Sequence, residues 1–205
     1  LNRKQHPNAG ECLKAEVRYV SGEERTTPGT TYKTRLPLEQ RRDWFMAKVT
    51  LDKYVLSKKH VRFGFLLEGL YSDYAFFKNY TASIIRAPVF QPRPESRTYV
   101  LENYRASQYI AAGLRTLIAV AKNKLDLRIE GYMFQPYKAI LRDESGQAVE
   151  GLAVSDRSYL ASGSLIYQSP VGPIWFNTSY IEGLEKPWAF SLNFGYVIFG
   201  QRALE

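Results

Sequence analysis

SYLASGSLIYQSPVGPIWFNTSYIEGLEKPWAFSLNFGYVIF, residues 158–199, is the stretch whose reading decides the fold. Three alternating runs are separated by Ser169-Pro170-Val171-Gly172-Pro173 and by Glu182-Gly183-Leu184-Glu185. A side-chain period of two marks strands and not helices. In the last run Trp188, Phe190, Leu192, Phe194, Tyr196 and Ile198 share one face, while Ala189, Ser191, Asn193 and Gly195 share the other. Soluble strands run roughly five or six residues, whereas a tilted strand crossing a bilayer needs about 9–11. Residues Trp188 to Phe199 supply twelve. This length directs the aromatic face toward lipid.

Outward from that stretch the same alternation recurs, giving eight expected strands in one domain over residues 1–205. They lie near 12–20, 44–56, 61–73, 107–121, 125–138, 158–168, 173–182 and 187–199. Tight turns at 57–59, 122–124 and 169–173 alternate with long connections at 21–40, 75–104 and 139–157. Short turns on one side and long loops on the other are the habit of bacterial outer-membrane barrels. Residues 75–104 carry three prolines and no sustained period, and an unstructured stretch of that length in a compact domain implies a task.

The faces opposite the apolar ones are ionisable. Lys14, Glu16, Arg18, Lys48, Asp52, Arg62, Glu68, Arg115, Asp126, Arg128 and Glu130 fall there, mixed in sign across five strands. Burying unpaired charges costs several kcal/mol each, so this face must be wet and the other needs an apolar cover. An outer-membrane barrel meets that demand with lipid outside and a polar lumen inside. A soluble ligand-binding barrel reverses the polarity and is the alternative. The expected fold is therefore all-β, an antiparallel transmembrane β-barrel.

The formal charge of +8 invites a nucleic-acid reading. The basic residues are scattered, however, and the densest groups, Arg41-Arg42 and Lys58-Lys59-His60, sit at the ends of apolar runs. Basic turns facing anionic head groups account for them, and no nucleic-acid partner is expected. A single Cys12 forms no internal disulfide. No apolar run reaches 18 residues, which excludes helical spans. His6 and His60 stand in loops away from any carboxylate or cysteine cluster. Asp126 and Glu130 share one strand face in the manner of paired glycosidase carboxylates, but Arg128 and Arg115 neutralise them into a lumen network. No catalytic set, metal or cofactor is expected. The chain starts at Leu1 without Met or a signal peptide, as expected of a piece of a longer protein.

Several short motifs carry a family resemblance. Leu1-Asn2-Arg3 with Pro7-Asn8-Ala9-Gly10, the turn Ser169-Pro170-Val171-Gly172-Pro173, and the closing Phe190-Ser191-Leu192-Asn193-Phe194-Gly195 resemble the C-terminal half of the barrel in the BamA-like superfamily, the bacterial surface antigen family. The resemblance implies the second half of a sixteen-stranded barrel in the bacterial outer membrane. It makes 75–104 a lumen-inserted loop. That family's loop ends in Val-Arg-Gly-aromatic, and here the place reads Asn103-Tyr104-Arg105-Ala106, with the arginine kept and the glycine not. By the same resemblance Arg105 would reach Glu130, a charge-assisted tether inside the lumen. Leu101 to Ala106 and Ala87-Pro88-Val89-Phe90-Gln91-Pro92 are more similar to barrels that follow a patatin-like lipase domain in Bacteroidetes-type proteins. This implies a membrane anchor, and a conduit, for an N-terminal lipid acyl hydrolase. No Gly-x-Ser-x-Gly elbow occurs in this chain, since Ser162-Gly163-Ser164 lacks the spacing, so catalysis would reside in the upstream domain. A protein insertion or translocation barrel is the alternative within the superfamily. Implied partners are outer-membrane lipids, the barrel-assembly machinery and the parent's own N-terminal domain, with homo-oligomers also compatible.

Overall fold

A computed structural model describes residues 9–26, 38–58, 60–93, 96, 101–121, 124–170 and 172–195. The elements in chain order are β1 (Glu11–Thr26), β2 (Leu38–Ser57), β3 (Val61–Ser72), α1 (Tyr80–Arg86), a 3-10 turn (Glu102–Tyr104), β4 (Gln108–Ala121), β5 (Leu125–Pro136), β6 (Lys138–Arg142), β7 (Ala148–Ala153), β8 (Ser158–Ser169), β9 (Gly172–Ile181) and β10 (Trp188–Phe194). Eight strands form one antiparallel sheet in the order β1-β2-β3-β4-β5-β8-β9-β10, and β6 pairs with β7 alone. All eight expected strands are present. The last continues as a described strand to Phe194, and the rest of that run, with Tyr196, lies outside the described residues.

Three expectations about the connections change. Residues 21–26, expected as loop, extend β1 against Leu38–Asp43 of β2. That extension is polar on both faces and so shows no apolar period. Its ladder is reinforced by Arg42–Glu24 at 2.9 Å and Arg25–Glu39 at 3.6 Å. The 139–157 loop is largely the β6–β7 hairpin. The 75–104 loop holds α1, capped by the Asn79 side chain accepting from the Ala82 N–H.

The sheet is open: among the described residues no ladder joins β1 to β10. An eight-stranded barrel has an interior just wide enough for its own side chains. Here described parts of the 75–106 segment lie against the inner face instead. Phe90, Leu101, Tyr104 and Ala106 from that segment pack on Leu66, Leu70, Tyr109, Ala111, Tyr132 and Phe134 of the sheet. A closed eight-stranded barrel would leave no room for this filling.

The long connections lock together at one end. Glu24 accepts from the Lys78 N–H at 2.9 Å, Arg42 stands 5.9 Å over the Phe77 ring, and the Tyr80 N–H reaches the Gly146 carbonyl in the hairpin turn at 3.1 Å. Trp44, Tyr74, Phe77, Ile84 and Ile140 fill the space between them.

Two glycines set the fit of the inner face. Gly64 and Gly113 pair directly with Tyr54 and Tyr132 across the ladder. Each tyrosine ring lies over the bare glycine backbone. A Cβ on Gly113 would stand 2.2 Å from a Tyr132 ring carbon. Gly113→Ala is therefore expected to lower stability by about 1–3 kcal/mol through overpacking. A methyl on outward Gly69 meets nothing within 4 Å, and Gly69→Ala is expected to stay within about 0.5 kcal/mol of the parent. Denaturant midpoints in detergent compare the two, and equal shifts would mean that the Tyr132 ring gives way without cost.

Candidate functional site: the charged inner face

The ionisable residues singled out from the sequence do share one side of the sheet. Lys48, Asp52, Arg62, Glu68, Arg115, Asp126, Arg128 and Glu130 are buried or half-buried there. The opposite side carries Leu67, Ile110, Leu114, Ile129, Leu165 and Phe176, all exposed. On β10, Trp188, Phe190, Leu192 and Phe194 are 60% to 74% exposed.

Register builds the principal cluster. Arg115 on β4 pairs directly with Glu130 on β5, and Arg128 precedes Glu130 by two on the same face. Both Nε and Nη2 of Arg128 donate to Glu130 Oε1, at 2.7 and 2.5 Å. Arg115 Nε lies 3.5 Å from the same oxygen and donates to the Tyr132 hydroxyl at 2.9 Å, while its Nη1 binds Asp52 on β2. Ser162 of β8 donates to the other Glu130 oxygen at 3.4 Å. Four strands thus meet at one carboxylate and two guanidinium groups.

A second cluster centres on Glu68. It accepts from Lys48 at 2.9 Å, Thr50 at 2.9 Å and the Tyr109 hydroxyl at 2.8 Å. Lys14, Glu16 and Arg18 pair among themselves along β1. Arg62 and Asp126 lie on the same inner face and enter neither cluster.

The expected Arg105–Glu130 tether is not formed. Arg105 Nη1 donates to the carbonyl oxygens of Ile84, Ile85 and Ala87 at 3.2, 2.7 and 2.9 Å, closing the C-terminal end of α1. Burial holds its guanidinium below the usual value, against the pull of Glu102. The reason is distance. Arg105 stands before the start of β4, and the strand from Gln108 to Arg115, the partner of Glu130, is about 23 Å long.

Arg93 makes the deep crossing instead. It is buried, and its Nη1 and Nη2 donate to Asn177 Oδ1 at 3.2 Å and Ser179 Oγ at 2.8 Å on β9. Ser164 and Asn177 extend this neutral network, and the neighbouring Pro92 carbonyl accepts from Arg115 at 3.2 Å. Sequence reading passed over Arg93 because it stands between two prolines, where no period assigns a face. The alternation of Asn177 and Ser179 on β9 was the one available sign of a polar partner. Near the loop's other end, the Tyr104 hydroxyl donates to the Tyr159 carbonyl at 2.5 Å, and burial pushes this phenol up.

The arrangement orders a loop. Glu130 is saturated by cations, so it and Asp126 do not act as a paired acid and base. Among the described residues no group of three His, Cys, Asp or Glu side chains is placed to hold a metal ion. No helix of the described residues is long and apolar enough to cross a membrane, which leaves strands untouched. No family model, curated protein or solved structure matches the chain.

Removing one member of a buried ionic group strands the rest, at about 3–5 kcal/mol. Glu130→Ala is expected to cost that much in a denaturant titration, and the double change Glu130→Ala/Arg128→Ala less than the two single costs added together. Strict additivity would show that the two groups do not interact. Arg93→Ala is expected to expose the 75–93 segment to limited proteolysis while the sheet's circular dichroism persists; unchanged cleavage would remove Arg93 from that role.

Proposed function

We propose that this chain is the lipid-embedded sheet of a bacterial outer-membrane β-barrel, and that it anchors an N-terminal patatin-like lipid acyl hydrolase. The observation that carries the membrane reading is the division of sides. Each strand from β2 to β5 turns grease to its open face and charged side chains to its covered one, β8 and β9 turn serine and asparagine there instead, and hydrocarbon is the solvent that rewards this division. Aromatic residues edge the open face. Tyr19, Phe45, Tyr71, Tyr159 and Trp188 are exposed toward the long-connection end, and Tyr167 and Phe194 toward the other. On β8, Tyr159 to Tyr167 spans about 27 Å of strand, or roughly 20 Å of depth at a usual barrel tilt. Outer-membrane barrels carry an apolar band about 25 Å tall between aromatic girdles.

The two unpaired edges, β1 and β10, cannot lie bare in hydrocarbon, where each unbonded backbone group costs several kcal/mol. The reading therefore takes the sheet as part of a larger cylinder, in line with the resemblance to the bacterial surface antigen family. The hydrolase assignment rests on the loop motifs that resemble patatin-linked barrels. A conduit role, and the superfamily alternative of a translocation barrel, are disfavoured by Phe90, Leu101, Tyr104 and Ala106, which lie packed on the inner face. A soluble ligand-binding barrel would need the opposite polarity, with the grease enclosed.

The protein is expected to be monodisperse in detergent and to aggregate when detergent is withdrawn, as followed by size-exclusion chromatography with light scattering. A stable, monodisperse protein in plain buffer would sink the membrane reading. Planar-bilayer recordings are expected to show little conductance; large steady openings would favour the conduit.

A further inference from the structure

The β6–β7 hairpin presents two faces with different fates. Ile140 and Ala148 pack into the aromatic cluster beside α1, which fixes the hairpin to the end of the sheet. Its base turns the other way. Leu152 is 79% exposed, and Val154 and Tyr137 are also open. Val154 has φ 57, a left-handed conformation that β-branched residues rarely adopt. Its N–H is held by the Tyr137 carbonyl at 2.7 Å, so the strained geometry is locked with the valine outward.

The surroundings continue the outer surface of the sheet. Tyr137 follows the outward positions Met133 and Gln135 of β5, and Arg157 precedes outward Tyr159 of β8 by two residues. Arg157 Nε donates to Gln135 Oε1 at 2.9 Å, and Lys138 Nζ lies 6.0 Å from the Tyr137 ring centre. The nearby carboxylates are engaged: Glu150 pairs with Lys138, and Asp156 accepts from Ser155. Exposed aliphatic side chains, a tyrosine and long cations directly above an aromatic girdle form the side-chain mixture of a bilayer interface.

We propose that the base of this hairpin, Leu152 and Val154 with Tyr137, Lys138 and Arg157, docks on the lipid head-group layer at the long-connection end. Leu152 and Val154 enter the upper acyl region. The hairpin then acts as a lateral foot that fixes how deep the sheet sits. This rests on the membrane reading above, with the lipid surface as the sole occupant.

The test uses the full chain in phosphatidylcholine vesicles, with Cys12→Ser removing the exposed native thiol. Nitroxide labels at Leu152→Cys, at Leu114→Cys in the middle of the band and at Glu144→Cys in the hairpin turn report collisions with oxygen and with a water-soluble nickel chelate. The oxygen-to-nickel ratio is expected to be several-fold higher at 152 and 114 than at 144. Val154→Cys supplies a second position, expected to behave as 152 does. A ratio at 152 and 154 equal to that at 144, with 114 still favouring oxygen, overturns the hairpin proposal alone. Nickel-favouring ratios at every position overturn the membrane reading and the hairpin proposal with it.

Discussion

The buried grouping of Glu130 between Arg128 and Arg115 is the constraint on which the rest of the molecule depends. Charges of this kind are tolerated away from bulk water only when each finds a counter-charge and its remaining donors find acceptors. Here the acceptors come from β2, β5 and the crossing loop: Asp52, Glu130 with the Tyr132 hydroxyl, and the Pro92 carbonyl. Sliding β4 against β5 by one residue would turn Arg115 to the apolar side and bring an aliphatic neighbour inward. The ionic centre thus fixes register as well as stability, and with it the sidedness on which the membrane proposal rests.

Much of this was legible in the sequence. The period-two runs located all eight strands of the sheet, because one face of each is apolar while the other is charged on β1 to β5 and small or polar at most positions of β8 to β10. The inner-face residues followed from parity alone, and Arg115, Arg128 and Glu130 fell on one side for that reason. What escaped lacked a period. The polar ends of β1 and β2 pair through backbone and charge with no apolar stripe, so they read as loop. The β6–β7 hairpin was hidden by its acidic composition. Arg93 stands in a proline-framed segment whose course is dictated by contacts with strands far along the chain. The motif-based choice of Arg105 failed over distance: that arginine belongs to the rim, where three helix-end carbonyls take up its donors.

The inner face also divides laterally. Charges crowd β1 to β5, while β8 to β10 offer Ser162, Ser164, Asn177, Ser179, Ser191 and Asn193. The crossing segment mirrors this division. Its apolar side chains, Phe90 and Tyr104 among them, lie on the hydrophobic part of the inner surface, and Arg93 is delivered to neutral acceptors. The Nη1 and Nη2 groups of Arg93 are held by amide and hydroxyl oxygens of β9, while its charge adds to the positive surroundings of Glu130.

The reach of Arg93 to β9 has a consequence for the order in which the chain assembles. Its two acceptors are made almost last, more than eighty positions after it. A nascent sheet that stops at β5 gives this cation nothing to bind, and the hydrophobic patch formed by Leu160 and Ile181 is also missing. Phe90 already finds its ring partners on β4 and β5, so the β9 contacts of Arg93 complete the seating of the loop and do not begin it.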